Sequence, residues 1–217
     1  MSFEAERVEI LEAVRRIVGA GLVAGASGNV SRRIHTADGD VFAITASRLP
    51  YHRFTFNDVL VVDADVEPIV GDGIPSSESL LHLAVYAARP DVGAVIHTHS
   101  IHASAFAVAG RPIPPILDEQ VILLGGAIDV AEYGESSTDM LASNAVTALA
   151  DRAAVLLRNH GAVSVGRDLD DAIVAAELLE RVAKIYVISG ALGGPTELPS
   201  EIIEQERTAY RMLHELD

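Results

Sequence analysis

The chain has 217 residues, 49% of them apolar, and 31 acidic against 16 basic side chains give a net charge of −15. That size and apolar content suit one folded domain over 1–217 with a substantial core, and the acidic balance argues against nucleic acid or an anionic membrane surface as partner. Cysteine is absent, which excludes disulfides, thiolate metal sites and thiol nucleophiles. The opening stretch MSFEAERVEILEAVRR lacks an apolar run, and nothing approaches the roughly 20 uncharged apolar residues of a membrane span, so a cytoplasmic protein is expected.

Val8, Leu11, Val14, Ile17 and Val18 recur at steps of three and four, which predicts a helix over 4–20 with these residues inward. The Gly-rich GLVAGASGNVSRR then reads as a turn into strand NVSRRI, and VFAIT (41–45) and DVLVVDAD (58–65) read as strands. PSSESLLHLAVYAARPD predicts a helix capped by Ser76 or Ser77, with Leu80, Leu81, Ala84 and Val85 inward and Pro90 beyond its end. VGAVIHTHS (92–100) reads as a buried strand, and VILLGG and AIDVAEY as two short strands around Gly125-Gly126. A helix over 137–150 leads into a single strand, AAVLLRNHGAVSVG. The longest amphipathic helix, 168–189, precedes a charged one over 199–216. Helices and strands alternate without linker or repeat, which gives the α/β class; alternation by itself suggests parallel strands.

His97 and His99 stand two apart in the apolar strand. At a rise of about 3.3 Å per residue they share a face, about 6.6 Å apart at the backbone, close enough to converge on one metal ion. His160 lies in Arg158-Asn159-His160-Gly161, a polar break in an apolar strand, where buried polar groups need a partner and where glycine lets another backbone or a substrate approach. A lone core histidine is more often a hydrogen-bonded structural group than a ligand; the pair brings the odds to about even. Glu78 at the start of a helix serves either the helix dipole or chemistry as a base or metal ligand. His82, four residues on, reads as core packing rather than support for Glu78. His102 points away from the His97 face if the strand continues. Gly28-Asn29, Thr45-Ala46-Ser47-Arg48 and Ser76-Ser77 together offer amides and hydroxyls for a phosphate without lysine.

ASGNVS (26–31), ITASRLPY (44–51), PSSESLLHLAVYAARPDVGAVIHTHSIHA (75–103) and LLRNHGAVSVG (156–166) resemble, in order and spacing, the class II aldolase/ribulose-phosphate 4-epimerase family over nearly the whole chain. The resemblance implies a single α/β domain with a central, largely antiparallel sheet flanked by helices, and a homotetramer. It implies a divalent metal, zinc first and Mn, Co or Fe next, on His97, His99 and His160 with Glu78 beside it as catalytic acid and base. Gly28, Asn29, Ser47, Arg48, Ser76 and Ser77 would line the phosphate site. The implied reaction is retro-aldol cleavage of a short ketose 1-phosphate to dihydroxyacetone phosphate and a small aldehyde. The family's alternatives are a decarboxylase or dehydratase acting on a small organic acid, and a non-catalytic, adducin-like binding module. The sequence departs from the family pattern twice: Arg48 replaces a glycine, and residues 113–124 lack the family's tyrosine acid, for which Asp118 or Glu119 would stand in.

Overall fold

In the computed structural model, which describes residues 3–216, the β-branched runs assemble into one eight-stranded sheet. Its strands are β1 (Asn29–Thr36), β2 (Gly39–Thr45), β3 (Val59–Val62), β4 (Pro68–Val70), β5 (Ala94–Thr98), β6 (Val130–Ala131), β7 (Ala154–Leu157) and β8 (Gly161–Gly166), in the order β4-β3-β2-β1-β5-β8-β7-β6. Every pairing is antiparallel except β6 with β7. The resemblance, not the alternation of elements, anticipates this arrangement.

Helices α1 (Glu4–Gly19), α2 (Ser79–Ala88), α3 (Ile101–Ala109), α4 (Asp118–Leu124), α5 (Asp139–Leu149), α6 (Leu169–Ser189) and α7 (Ser200–Leu213) cover the sheet. Successive strand residues point to opposite faces, so two cores form. Val30, Ile34, Ala43, Val61 and Ile96 pack with α1 and the start of α6. Phe42, Ile44, Leu60, Val95 and Val163 pack with α2, α3 and α5 on the other face. Among the described residues no helix is long and apolar enough to cross a membrane.

Several expectations change. On α1 the buried stripe is Arg7, Ile10, Leu11, Val14 and Ile17, while Val8 and Val18 are exposed. Arg7 is tolerated there because its guanidinium donates to the carbonyl of Val59 at 2.9 Å and stacks over Phe56. Leu80 is likewise exposed, its inward place taken by His82. Residues 118–124 are helical, not a strand: Asp118 and Glu119 sit in the first turn, Val121 and Leu124 face inward three apart, and Gly125 ends the helix in the left-handed region. Finally, 154–166 is a hairpin whose turn is Arg158-Asn159-His160, and α3 follows β5 almost at once, with Ser100 at its N-cap and Gly110 at its C-cap.

Candidate metal centre

Three backbone devices bring the site together. Asn29 pairs with His97 across β1 and β5, so the turn before β1 lies against the histidine strand. Gly28 makes this possible: its φ is +77°, and a Cβ there would strike the carbonyl oxygen of His97. Next, the amide of Ser47 donates to Ile74 O and that of Ser76 to Thr45 O, stitching the loop after β2 to the entry of α2. Last, the β7–β8 turn delivers His160. Asn159 takes a left-handed φ of 57°, and a Cβ on Gly161 would run into the Thr98 carbonyl and crowd the rings of His97 and His99. The expectation that this glycine admits another backbone is met by Thr98.

The imidazoles of His97, His99 and His160 meet with ring centroids 4.7–5.0 Å apart, and one nitrogen of each lies within 4.8 Å of the others. His97 is fully buried and its Nδ1 donates to Ala162 O at 2.9 Å, which orients Nε2 toward the other rings and Glu78. That Nε2 lies 2.8 Å from Nε2 of His99. Glu78 closes the fourth side, Oε2 at 3.1 Å from His97 Nε2 and Oε1 at 3.3 Å from His160 Nε2. Glu78, and not Ser76 or Ser77 as expected, stands at the N-cap of α2 but makes no capping bond, so its carboxylate serves the histidines rather than the helix.

Burial opposes charge on Glu78, yet the hydrogen bond and charge of His97, then His160 and Asn29, outweigh it and hold the carboxyl well below the usual range. His99 is pushed down to about 4 by burial, then by His97 and His160. His160 is lowered by burial and His97. Three ring nitrogens and a carboxylate converging this closely need a proton or a cation between them, and three imidazoles beside one carboxylate form a donor set that fits a divalent metal.

A pocket of about 410 Å³ opens over this cluster, lined by Gly28, Asn29, Ser47, Arg48, Ser76, Ser77, Glu78, His99 and His160. All six residues expected at a phosphate therefore reach one cavity, with His97 buried behind it. Asn29 has a further commitment: its Nδ2 donates to Glu78 Oε2 at 3.0 Å. Two features were missed in the sequence. Ser136, from the loop before α5, donates to Glu78 Oε1 at 3.0 Å, and a lone serine in a loop gives no signal. His82 is buried as expected, but it is also hydrogen-bonded to Asn29 and Ser31, its ring pushed down to about 3 mainly by burial. His102 is on α3, bonded to Glu180 of α6, and Glu119 pairs with Arg181; neither Asp118 nor Glu119 lines the pocket.

The family model for the class II aldolase and adducin N-terminal domain matches residues 8–187. The chain belongs to the class II aldolase family. Its relatives include a 5-deoxy-D-ribulose 1-phosphate aldolase of Bacillus thuringiensis serovar kurstaki, 34% identical over 94% of each chain. A 5-methylthioribulose-1-phosphate/5-deoxyribulose-1-phosphate aldolase of Rhodospirillum rubrum is 35% identical over 93% of this chain and 89% of the relative. The solved structure of an L-fuculose 1-phosphate aldolase superposes with a TM-score of 0.88 at 31% identity, over 95% of this chain and 96% of that one. This class II aldolase is thus an enzyme of the metal-dependent aldehyde-lyases.

Proposed function

We propose that this aldolase reversibly cleaves a short, L-fuculose-1-phosphate-like ketose 1-phosphate into dihydroxyacetone phosphate and a small aldehyde, with His97, His99, His160 and Glu78 holding zinc. The observation that carries the reading is the meeting of three imidazoles and one carboxylate at the floor of a pocket whose rim offers serine hydroxyls, glycine backbone and one guanidinium. Three nitrogen donors without thiolate suit zinc ahead of Mn, Co or Fe. When bound, the ion supplies Lewis-acid stabilisation of the negative charge that develops on the substrate's carbonyl and adjacent hydroxyl oxygens.

The chain's own groups do the rest. Ser47, Ser76, Ser77 and the Gly28 backbone bind the phosphate by hydrogen bonds, and Arg48 supplies the charge. The net charge of −15 opposes long-range steering of a phosphate, so capture depends on these short contacts. Glu78, a carboxylate in the resting site, removes the proton on the carbon alpha to the carbonyl in the condensation direction. In cleavage the hydroxyl that becomes the aldehyde carbonyl gives up the proton that Glu78 delivers to that carbon after the carbon–carbon bond breaks. Asn29 and Ser136, each donating to one of its oxygens, fix the carboxylate in place. Exposed apolar side chains, Ile101 and Val108 on α3 and Ile188 and Leu192 at the end of α6, support assembly as the homotetramer.

Two relatives are named for five-carbon 5-deoxy or 5-methylthio ketose phosphates, so 5-deoxyribulose 1-phosphate and L-fuculose 1-phosphate are the substrates to assay. Dihydroxyacetone phosphate is expected to form from at least one of them, with kcat lowered by about 10²- to 10⁴-fold in Glu78→Gln. Release of CO₂ from a carboxylated analogue, with no dihydroxyacetone phosphate from any ketose phosphate, would replace this reading with the decarboxylase that an arginine at 48 also suits.

A further inference from the structure

Behind Glu78 runs a row of buried polar groups that the chemistry above leaves unexplained. Glu78, His82 and Tyr86 are spaced by four on one side of α2, and Asn29, Ser31 and Arg33 are spaced by two on one side of β1. Four helical residues rise about 6.0 Å and two strand residues about 6.6 Å, so the two rows mesh like teeth. The contacts alternate accordingly. Asn29 Nδ2 lies 3.0 Å from Glu78 Oε2, and Asn29 Oδ1 touches His82 Nε2. His82 Nδ1 is 2.6 Å from Ser31 Oγ, and Ser31 Oγ is 2.8 Å from the Tyr86 hydroxyl. Arg33 closes the row by donating to Tyr86 O.

The direction of each bond follows from the first. A carboxylate only accepts, so the Asn29 group facing it is the NH₂. Oδ1 then faces His82, which must donate from Nε2. The ring is fully buried and touches no carboxylate, so it is neutral and its Nδ1 carries a lone pair. Ser31 spends its one proton there and accepts the phenolic proton of Tyr86. The reverse order would set the Asn29 oxygen against a Glu78 oxygen.

We infer that His82 is a positioning residue: fixed as the Nε2–H tautomer by Ser31 and Tyr86, it locks the Asn29 amide with its donor turned to Glu78. The inference deepens the function proposed above, because it concerns the group that sets the geometry of Glu78.

The tautomer is read directly by nuclear magnetic resonance on the unaltered protein labelled with ¹⁵N in its histidine rings. A single proton on Nε2 of His82 is expected; a proton on Nδ1 overturns the inference whatever the activity. In kinetics with 5-deoxyribulose 1-phosphate, His82→Leu is expected to lower kcat about 10- to 100-fold while KM moves less than about threefold. His82→Gln, whose amide can still donate to Asn29, is expected to recover part of that loss. A folded His82→Leu protein with full kcat overturns the inference. If Glu78→Gln remains fully active while the Nε2 proton is observed, the catalytic role of Glu78 falls and the relay stands.

Discussion

Arg48 holds a backbone φ of +63°, a region that costs a side-chain-bearing residue about 1–2 kcal/mol and that glycine enters freely. A glycine is what the family pattern has at this turn, so the arginine is kept against a local penalty and at the rim of the pocket. Its guanidinium is exposed and shared with a neighbouring cleft lined by Asp58 and Asp72. Arg48→Gly is expected to raise stability by about 0.5–1 kcal/mol, the relief being partly offset by the freer unfolded chain. It is also expected to raise KM for the phosphorylated ketose about tenfold, the worth of one charged hydrogen bond, with kcat nearly unchanged. Thermal melting and steady-state kinetics check both; an unchanged KM removes Arg48 from the binding site. At this scale the sequence was most informative where residue types are unusual: two histidines in an apolar strand, an acid after two serines, a polar break before a glycine. It was silent on Ser136, and its preference for core packing at His82 missed the hydrogen bonds to Asn29 and Ser31, because both depend on which side chains the fold sets opposite them.

The β7–β8 hairpin is the element on which the centre depends, since its turn sets His160 against two histidines from β5. Gly161 is the tolerance of that joint. Gly161→Ala pushes a methyl group into the Thr98 carbonyl and both rings, and is expected to cost about 1–3 kcal/mol and to weaken divalent metal binding together with stability. Urea denaturation and metal titration on the same variant test this; a loss of stability with metal affinity intact would separate the hairpin from the site. The sequence showed the apolar content of 154–166 but not its reversal. Arg-Asn-His lacks the Asn-Gly or Asp-Gly signal of a tight hairpin, and Asn159 adopts the left-handed turn without it. VILLGG failed for the opposite reason. Val and Ile favour strands locally, yet the packing of Val121 and Leu124 and the acidic first turn make it helical.

Across the whole molecule, α7 is clasped to the rest through Asp151, which pairs with Arg207 at 2.9 Å and Arg211 at 3.2 Å, while the buried Tyr210 donates to its carbonyl. Burial raises the Asp151 carboxyl, but the two guanidiniums outweigh it and hold the folded-state value below the ordinary one. A depressed carboxyl stabilises the fold above its unfolded value of about 3.9, and that contribution is lost as the pH falls through the folded value. Melting temperatures of the parent and Asp151→Asn are therefore expected to differ near neutrality and to converge as the pH falls through the lowered folded value, beneath the ordinary carboxylate range; a difference independent of pH would assign Asp151 a role other than charge. The antiparallel order of the sheet was legible only through the family motifs, because long-range strand pairing leaves no local trace in a chain of alternating elements.

The proposed chemistry rests on one divalent cation held by His97, His99, His160 and Glu78. Elemental analysis of the purified enzyme, followed by chelation and zinc titration, tests it with no assumption about substrate. One equivalent per chain is expected, removed by chelator, restored by zinc and lost in His97→Ala. A folded protein that takes up no zinc, or a His97→Ala variant that binds it as tightly as the parent, would remove the metal from these residues.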